Sequence, residues 1–233
     1  MIYTPEPIGH VQVQNVLRSF REPLQDKNFR KMLFFNAGWI FSVNLATPFL
    51  SVYMLKTMGL SVFTITALAI VGQISGIIFV RIWGRYADKY GNKTVISICA
   101  PVYIGCILAW AFTAASASLH FNLLLLTLIN IFSGSSIAGV NLSLNNIGIK
   151  LAPKGSDMAY LSAKNMIIAC ASAGAPLIGG LLADFFSAEW NVLFLMGAML
   201  AVLSMRMLKN IHEAGEEKKE IVFREMLRAL KIS

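Results

Sequence analysis

Six stretches of apolar residues dominate the chain, each long enough as a helix to cross the roughly 30 Å of a bilayer's hydrocarbon core. They lie near residues 32–55, 61–83, 94–115, 121–147, 158–183 and 190–208. Short polar breaks separate them. Gly59 punctuates the first break, a glycine and charge run from Gly84 to Lys93 forms the second, and Ala152-Pro153-Lys154-Gly155 parts the fourth span from the fifth. Before the first span Val13, Val16, Leu17 and Phe20 recur at helical spacing. Val222, Phe223, Met226, Leu227 and Leu230 do so after the last, with Arg224, Arg228 and Lys231 on another face. The pattern predicts an all-α integral membrane protein. Residues 1–31 and 209–233 are amphipathic segments in the membrane interface, and 32–208 form a six-helix unit.

Composition agrees with the pattern. The 233 residues are 56% hydrophobic and 14% charged, against about 45–50% and about 25% in water-soluble domains. Residues 1–31 carry Arg18, Arg21, Lys27, Arg30 and Lys31 and lack the apolar core of a secretory signal. Cys99, Cys106 and Cys170 fall inside apolar runs without CxxC spacing, which predicts packing residues rather than disulfides or a metal site. No cofactor is expected.

The net charge of +8 changes meaning once it is placed along the chain. Five of the twenty Lys and Arg precede the first span, four lie from Arg81 to Lys93, three from Lys150 to Lys164, and seven from Arg206 onward. Only Lys56 lies elsewhere. Because cytoplasmic loops hold the excess of Lys and Arg, both termini and every second loop are expected in the cytoplasm of a plasma-membrane protein. The basic balance thus points to anionic lipid headgroups as partners, and not to nucleic acid.

The spans also repeat. Gly84-Arg85-Tyr86-Ala87-Asp88 ends the second and Gly180-Leu181-Leu182-Ala183-Asp184 ends the fifth, while Ile40-Phe41-Ser42 and Ile131-Phe132-Ser133 occur in the first and fourth. Copies three helices apart point opposite ways across a membrane, so two inverted three-helix repeats are predicted.

The run Gly84-Arg85-Tyr86-Ala87-Asp88-Lys89-Tyr90-Gly91-Asn92-Lys93 resembles the signature loop of the major facilitator superfamily, G-x-x-x-D-(R/K)-x-G-x-(R/K)-(R/K). Gly84, Asp88, Lys89, Gly91 and Lys93 match. In the fifth span Gly174-Ala175-Pro176-Leu177-Ile178-Gly179-Gly180 is similar to the family's G-P-x-x-G-G helix motif, Ala175 replacing a glycine. The resemblance implies a gating loop at Gly84 to Lys93 and helix packing at Gly174, Pro176, Gly179 and Gly180. Independently of the family, Gly84 would let two helices approach closely. Asp88 offers a carboxylate to a helix N-terminus or a cation. Members of the family usually have twelve helices in two halves, so a second six-helix half is the implied partner. The run Pro23-Leu24-Gln25-Asp26-Lys27-Asn28-Phe29-Arg30 looks like the end of a central loop, which makes this the C-terminal half.

In that family the first and fourth helices of a half face the cavity and the third and sixth lie outside. Asn36, Asn44, Thr47 and Ser51 repeat at helical spacing on the first span, near Pro48. Asn130, Gly134, Ala138, Asn141 and Asn145 form one stripe on the fourth. Polar side chains are costly against lipid, so these stripes face a solute pathway or bind helices together. The pathway set is Asn44, Thr47, Ser51, Gln73, Asn130 and Asn141. The third and sixth spans keep only Tyr103 and Ser204 well inside. Lys164 sits about one turn into the fifth span, where its stem would snorkel to the interface.

No Asp or Glu lies deep in a span, and His10, His120 and His212 fall in tails or loops. An intramembrane hydrolase would need a Ser–His or paired-aspartate arrangement there, so an enzyme is not expected. The predicted function is transport of a small solute by alternating access. A transport-inactive fragment and a six-helix channel are the alternatives.

Overall fold

A computed structural model describes residues 16–110, 113, 119–153, 155–186, 189–209 and 211. Val13, His10, His212 and the stripe from Val222 to Leu230 lie outside them. The elements in chain order are α1 (Val16–Gln25), α2 (Lys27–Lys56), α3 (Val62–Tyr90), α4 (Asn92–Trp110), α5 (Leu119–Leu151), α6 (Asp157–Phe185) and α7 (Trp190–Leu208). The last six are long and apolar enough to cross a membrane.

Local chemistry sets the boundaries. The Asp26 carboxylate accepts the N–H groups of Asn28 and Phe29 at 2.8 and 3.0 Å, ending α1 and starting α2 five residues before the expected span. Ser61 caps α3 by accepting the Thr64 N–H at 3.2 Å. Gly59 and Gly155 turn the chain with φ of 66° and 92°, values that exclude most side chains.

The seams do not follow chain order. α3 lies along α5, α4 along α5, α2 along α7 and α2 along α6, whereas the sequential neighbours α2 and α3, or α5 and α6, touch at few points. Exchanging the first, second and third spans for the fourth, fifth and sixth converts α3 on α5 into α6 on α2, and α4 on α5 into α7 on α2. α4 and α7 also meet each other, which makes α4 the most enclosed span at 61% buried while α3 and α6 reach only 17%. Trp39, Tyr53, Tyr103, Trp110 and Phe194 fill the centre of the resulting core, joined by the tilted Trp39–Tyr103 pair and the edge-on Tyr53–Phe194 pair. Their combined area dominates packing energy. The outer faces of α3 and α6 carry exposed Ile70, Ile74, Ile77, Leu177 and Leu181, as a lipid-facing or partner-facing surface requires.

Candidate functional site

The motif at Gly84 to Lys93 is not a loop. α3 continues through Tyr90, α4 begins at Asn92, and Gly91 alone separates them. Its φ of 90° and ψ of 150° turn the chain in one residue, and its N–H still reaches the Ala87 carbonyl at 3.0 Å. Only a residue without Cβ adopts that conformation cheaply. The helix propensity of Arg85 to Lys89 carries α3 to the last residue before the glycine, which is why the expected ten-residue connection shrinks to one.

Aromatic side chains hold the end of α3. Trp83 donates its indole N–H to the Ser135 carbonyl at 2.9 Å, Tyr86 lies against Trp83, and Tyr90 stacks on Tyr86 at 5.7 Å. The Lys89 ammonium sits 4.7 Å from the Tyr90 ring centroid, a cation–π distance. Spacing of 83, 86 and 90 on one face was the signal that would have found this ladder. Asp88 is exposed at the tip of α3, and among the described residues no partner meets its carboxylate.

Asn92 and Lys93 turn inward instead. Asn92 is buried and its side-chain Oδ1 accepts the Asn146 side-chain amide at 3.1 Å, tying the start of α4 to the end of α5. Lys93 donates to the Ile211 carbonyl at 2.8 Å.

Gly84 does not serve the close approach expected of it. A Cβ there would meet nothing nearer than Leu142 Cδ2 at 3.8 Å, an ordinary contact. The same holds in α6, where a Cβ on Gly174 meets nothing within 4 Å and one on Gly180 meets only Phe49 Cζ at 3.9 Å. Pro176 lies within α6, half-buried. Gly179 alone of that motif is tight: its Cβ would stand 2.6 Å from the Leu45 carbonyl and 2.7 Å from the Phe49 ring. The closest crossing lies elsewhere, where a Cβ on Gly134 would overlap the backbone of Gly72.

The polar stripe of α2 splits, while no member of the α5 stripe is buried. Asn36 is 2% exposed inside the bundle, whereas Asn44 and Thr47 are half-exposed and Ser51 is exposed. At about 100° per residue, position 36 lies about 80° from 44, enough to carry it from the open face into the core. Asn44 and Thr47 donate to their own helix, to the Ile40 and Val43 carbonyls at 3.0 and 2.9 Å. Asn130 does likewise to Leu126 at 2.8 Å, beside Gly72. Asn141 and Asn145 are exposed on α5, and Gln73 is exposed on α3.

Lys164 does not snorkel. It is 3% exposed, and its ammonium donates to the Asn145 side-chain oxygen at 2.8 Å. Gly148, one turn along α5, makes this possible, since a Cβ there would stand 3.1 Å from Lys164 Cδ. The residue faces α5, so its stem has no route to the interface. Neither residue type in isolation announced the pair, because it joins helices 19 positions apart in sequence.

Against this geometry the comparisons are consistent. The chain is 26% identical over 197 residues to the multi-drug resistance efflux pump PmrA of Streptococcus pneumoniae serotype 4 strain TIGR4, a match covering 82% of this chain and 47% of the relative. The R6 strain protein of the same name matches equally. The chain therefore spans about half the length of the curated relatives it matches. The family model described as Major Facilitator Superfamily matches residues 3–156, and with six spans, no strand among the described residues and the motif seated at a glycine hinge, this multi-pass membrane chain belongs to the major facilitator superfamily.

Proposed function

We propose that the chain is one half, the C-terminal one, of a secondary transporter that moves a small solute by alternating access, with both termini in the cytoplasm of a plasma-membrane protein. The observation carrying this reading is the polar surface left open on α2 and α5. Ser51, Asn141 and Asn145 are exposed there and Asn44 and Thr47 half-exposed, groups that lipid would not accommodate cheaply. A second six-helix half covering them would form the other wall of a water-filled pathway. The exchange of helix seams between spans one to three and four to six supports two inverted repeats. Asp88, exposed and without a partner in the described chain, suits a gate contact supplied by that second half. Because the matched relatives are named as multi-drug efflux pumps, the proposed solutes are amphipathic organic molecules moved outward.

Proteoliposomes with an ethidium gradient test the reading. The purified chain alone is expected to move no ethidium, and co-reconstitution with a complementary six-helix half is expected to restore movement. In that complex Asp88→Asn should insert normally and abolish most of the flux. Single-molecule bleaching fixes the stoichiometry, and a stable monomer that moves ethidium refutes the proposal.

A further inference from the structure

Between α3, α4 and α5 lies an apolar chamber of about 510 Å³, a size common to small-molecule sites. Exposed Val102 and Phe132 stand at its mouth, and buried Trp83, Cys99, Ser135 and Ser136 line its floor. We propose that it binds a neutral, flat, lipid-soluble aromatic molecule bearing a carbonyl, which accepts hydrogen bonds from Ser135 and Ser136.

The floor is built in advance. Trp83 is fixed by its indole bond to the Ser135 carbonyl, and Gly139 leaves the room it needs. A Cβ on that glycine would stand 3.0 Å from the Trp83 ring and 2.6 Å from Cys99 Sγ. α3 and α4 share the Gly91 hinge yet touch far less than either touches α5, so packing does not close the space between them. Trp83 and Tyr86 supply aromatic surface for a flat ring.

Ser135 and Ser136 are 6% and 3% exposed, and neither hydroxyl has a hydrogen-bond partner among the described residues. A helical serine can bond back to the carbonyl four residues before it. For Ser135 that carbonyl, on Ile131, already accepts Ser75 at 2.7 Å. Ser143 also lacks a partner but is sealed in the core, whereas these two open on the chamber. Exchanging the spans turns this junction into that of α6, α7 and α2, which holds a comparable cavity of about 440 Å³. There the serines are engaged: Ser42 donates to the Gly38 carbonyl at 2.6 Å and Ser204 to that of Ala201 at 2.7 Å. Acyl chains suit that second cavity, while two idle buried donors suit a ligand with an acceptor. Ser136 lies about 140° around α5 from Asn141, so the chamber and the proposed pathway wall occupy different faces. Binding here needs no second half, and its outcome is read apart from transport.

Prodan, a neutral naphthalene ketone, tests the site on the full chain in nanodiscs of zwitterionic lipid, paired with the naphthylamine that lacks its carbonyl. Beyond partitioning into empty nanodiscs, wild-type chain should bind prodan saturably and the naphthylamine about tenfold more weakly. Ser135→Ala/Ser136→Ala should weaken prodan by roughly the same factor and leave the naphthylamine unchanged. Val102→Trp, which fills the mouth, should abolish binding of both, and Ser204→Ala in the counterpart cavity should alter neither. Removing two unpaired hydroxyls does not endanger folding, and an unchanged melting temperature of the double alanine variant verifies this. Absence of saturable binding, equal affinity for the two probes, or unaltered prodan binding by the serine variant overturns the site. Unaltered binding by Val102→Trp places the probe elsewhere and overturns it as well.

Discussion

Helix α5 meets its two neighbours in opposite ways. Against α3 it packs backbone to backbone, with Gly134 on Gly72 and Gly76 against Gly134. Ser75 bonds to the Ile131 carbonyl at 2.7 Å and Trp83 to that of Ser135 at 2.9 Å. Against α6 it touches at few points, and the bridge it makes there is a lysine held by an amide. The first seam has no room for change and binds a rigid unit. The second is sparse and joins exposed Asn145 to a buried cation. Small residues give membrane helices their van der Waals contact in the absence of a hydrophobic drive between them.

The contrast breaks first at Gly134. Gly134→Ala drives a methyl into the Gly72 backbone, which cannot yield, and should destabilise by about 3 kcal/mol, the upper end of overpacking. Thermal unfolding of the purified chain in detergent reads this, and an unchanged midpoint would show that α3 and α5 do not cross there.

Asn145→Ala comes next. It leaves the Lys164 ammonium buried without its acceptor, at a cost of roughly 2 kcal/mol for a hydrogen bond to a charged group. Lys164→Met in the same background should recover most of the loss, since it removes the uncompensated charge as well. If the double variant unfolds no later than the single one, the bridge carries no energetic coupling.

Gly179→Ala should cost roughly 1 kcal/mol. Here the Leu45 carbonyl is fixed but the Phe49 ring can rotate away. A loss as large as that at Gly134 would mean that the α2–α6 seam is as rigid as its counterpart.

The smallest effect is expected at Gly84. With only Leu142 Cδ2 at 3.8 Å, Gly84→Ala should leave the chain's melting within about 0.5 kcal/mol of wild type. A reduced ethidium flux in the paired complex would then assign this glycine to the interface with the second half rather than to packing within this one.

Much of the fold was legible in order along the chain. The six spans and the glycine that turns α3 into α4 each follow from local causes: helical length against bilayer thickness, and a φ of 90° at Gly91. Tertiary structure decided what depends on the rotation of each helix against its neighbours. It put Asn36 in the core while Asn44 stayed on the surface, and turned Lys164 inward onto Asn145. It made Gly134, Gly139 and Gly179 tight contacts while Gly84, Gly174 and Gly180 kept room to spare. A glycine in sequence states only that two backbones are permitted to touch. Which of them do is set by crossings between helices far apart in the chain, and no local pattern encodes those.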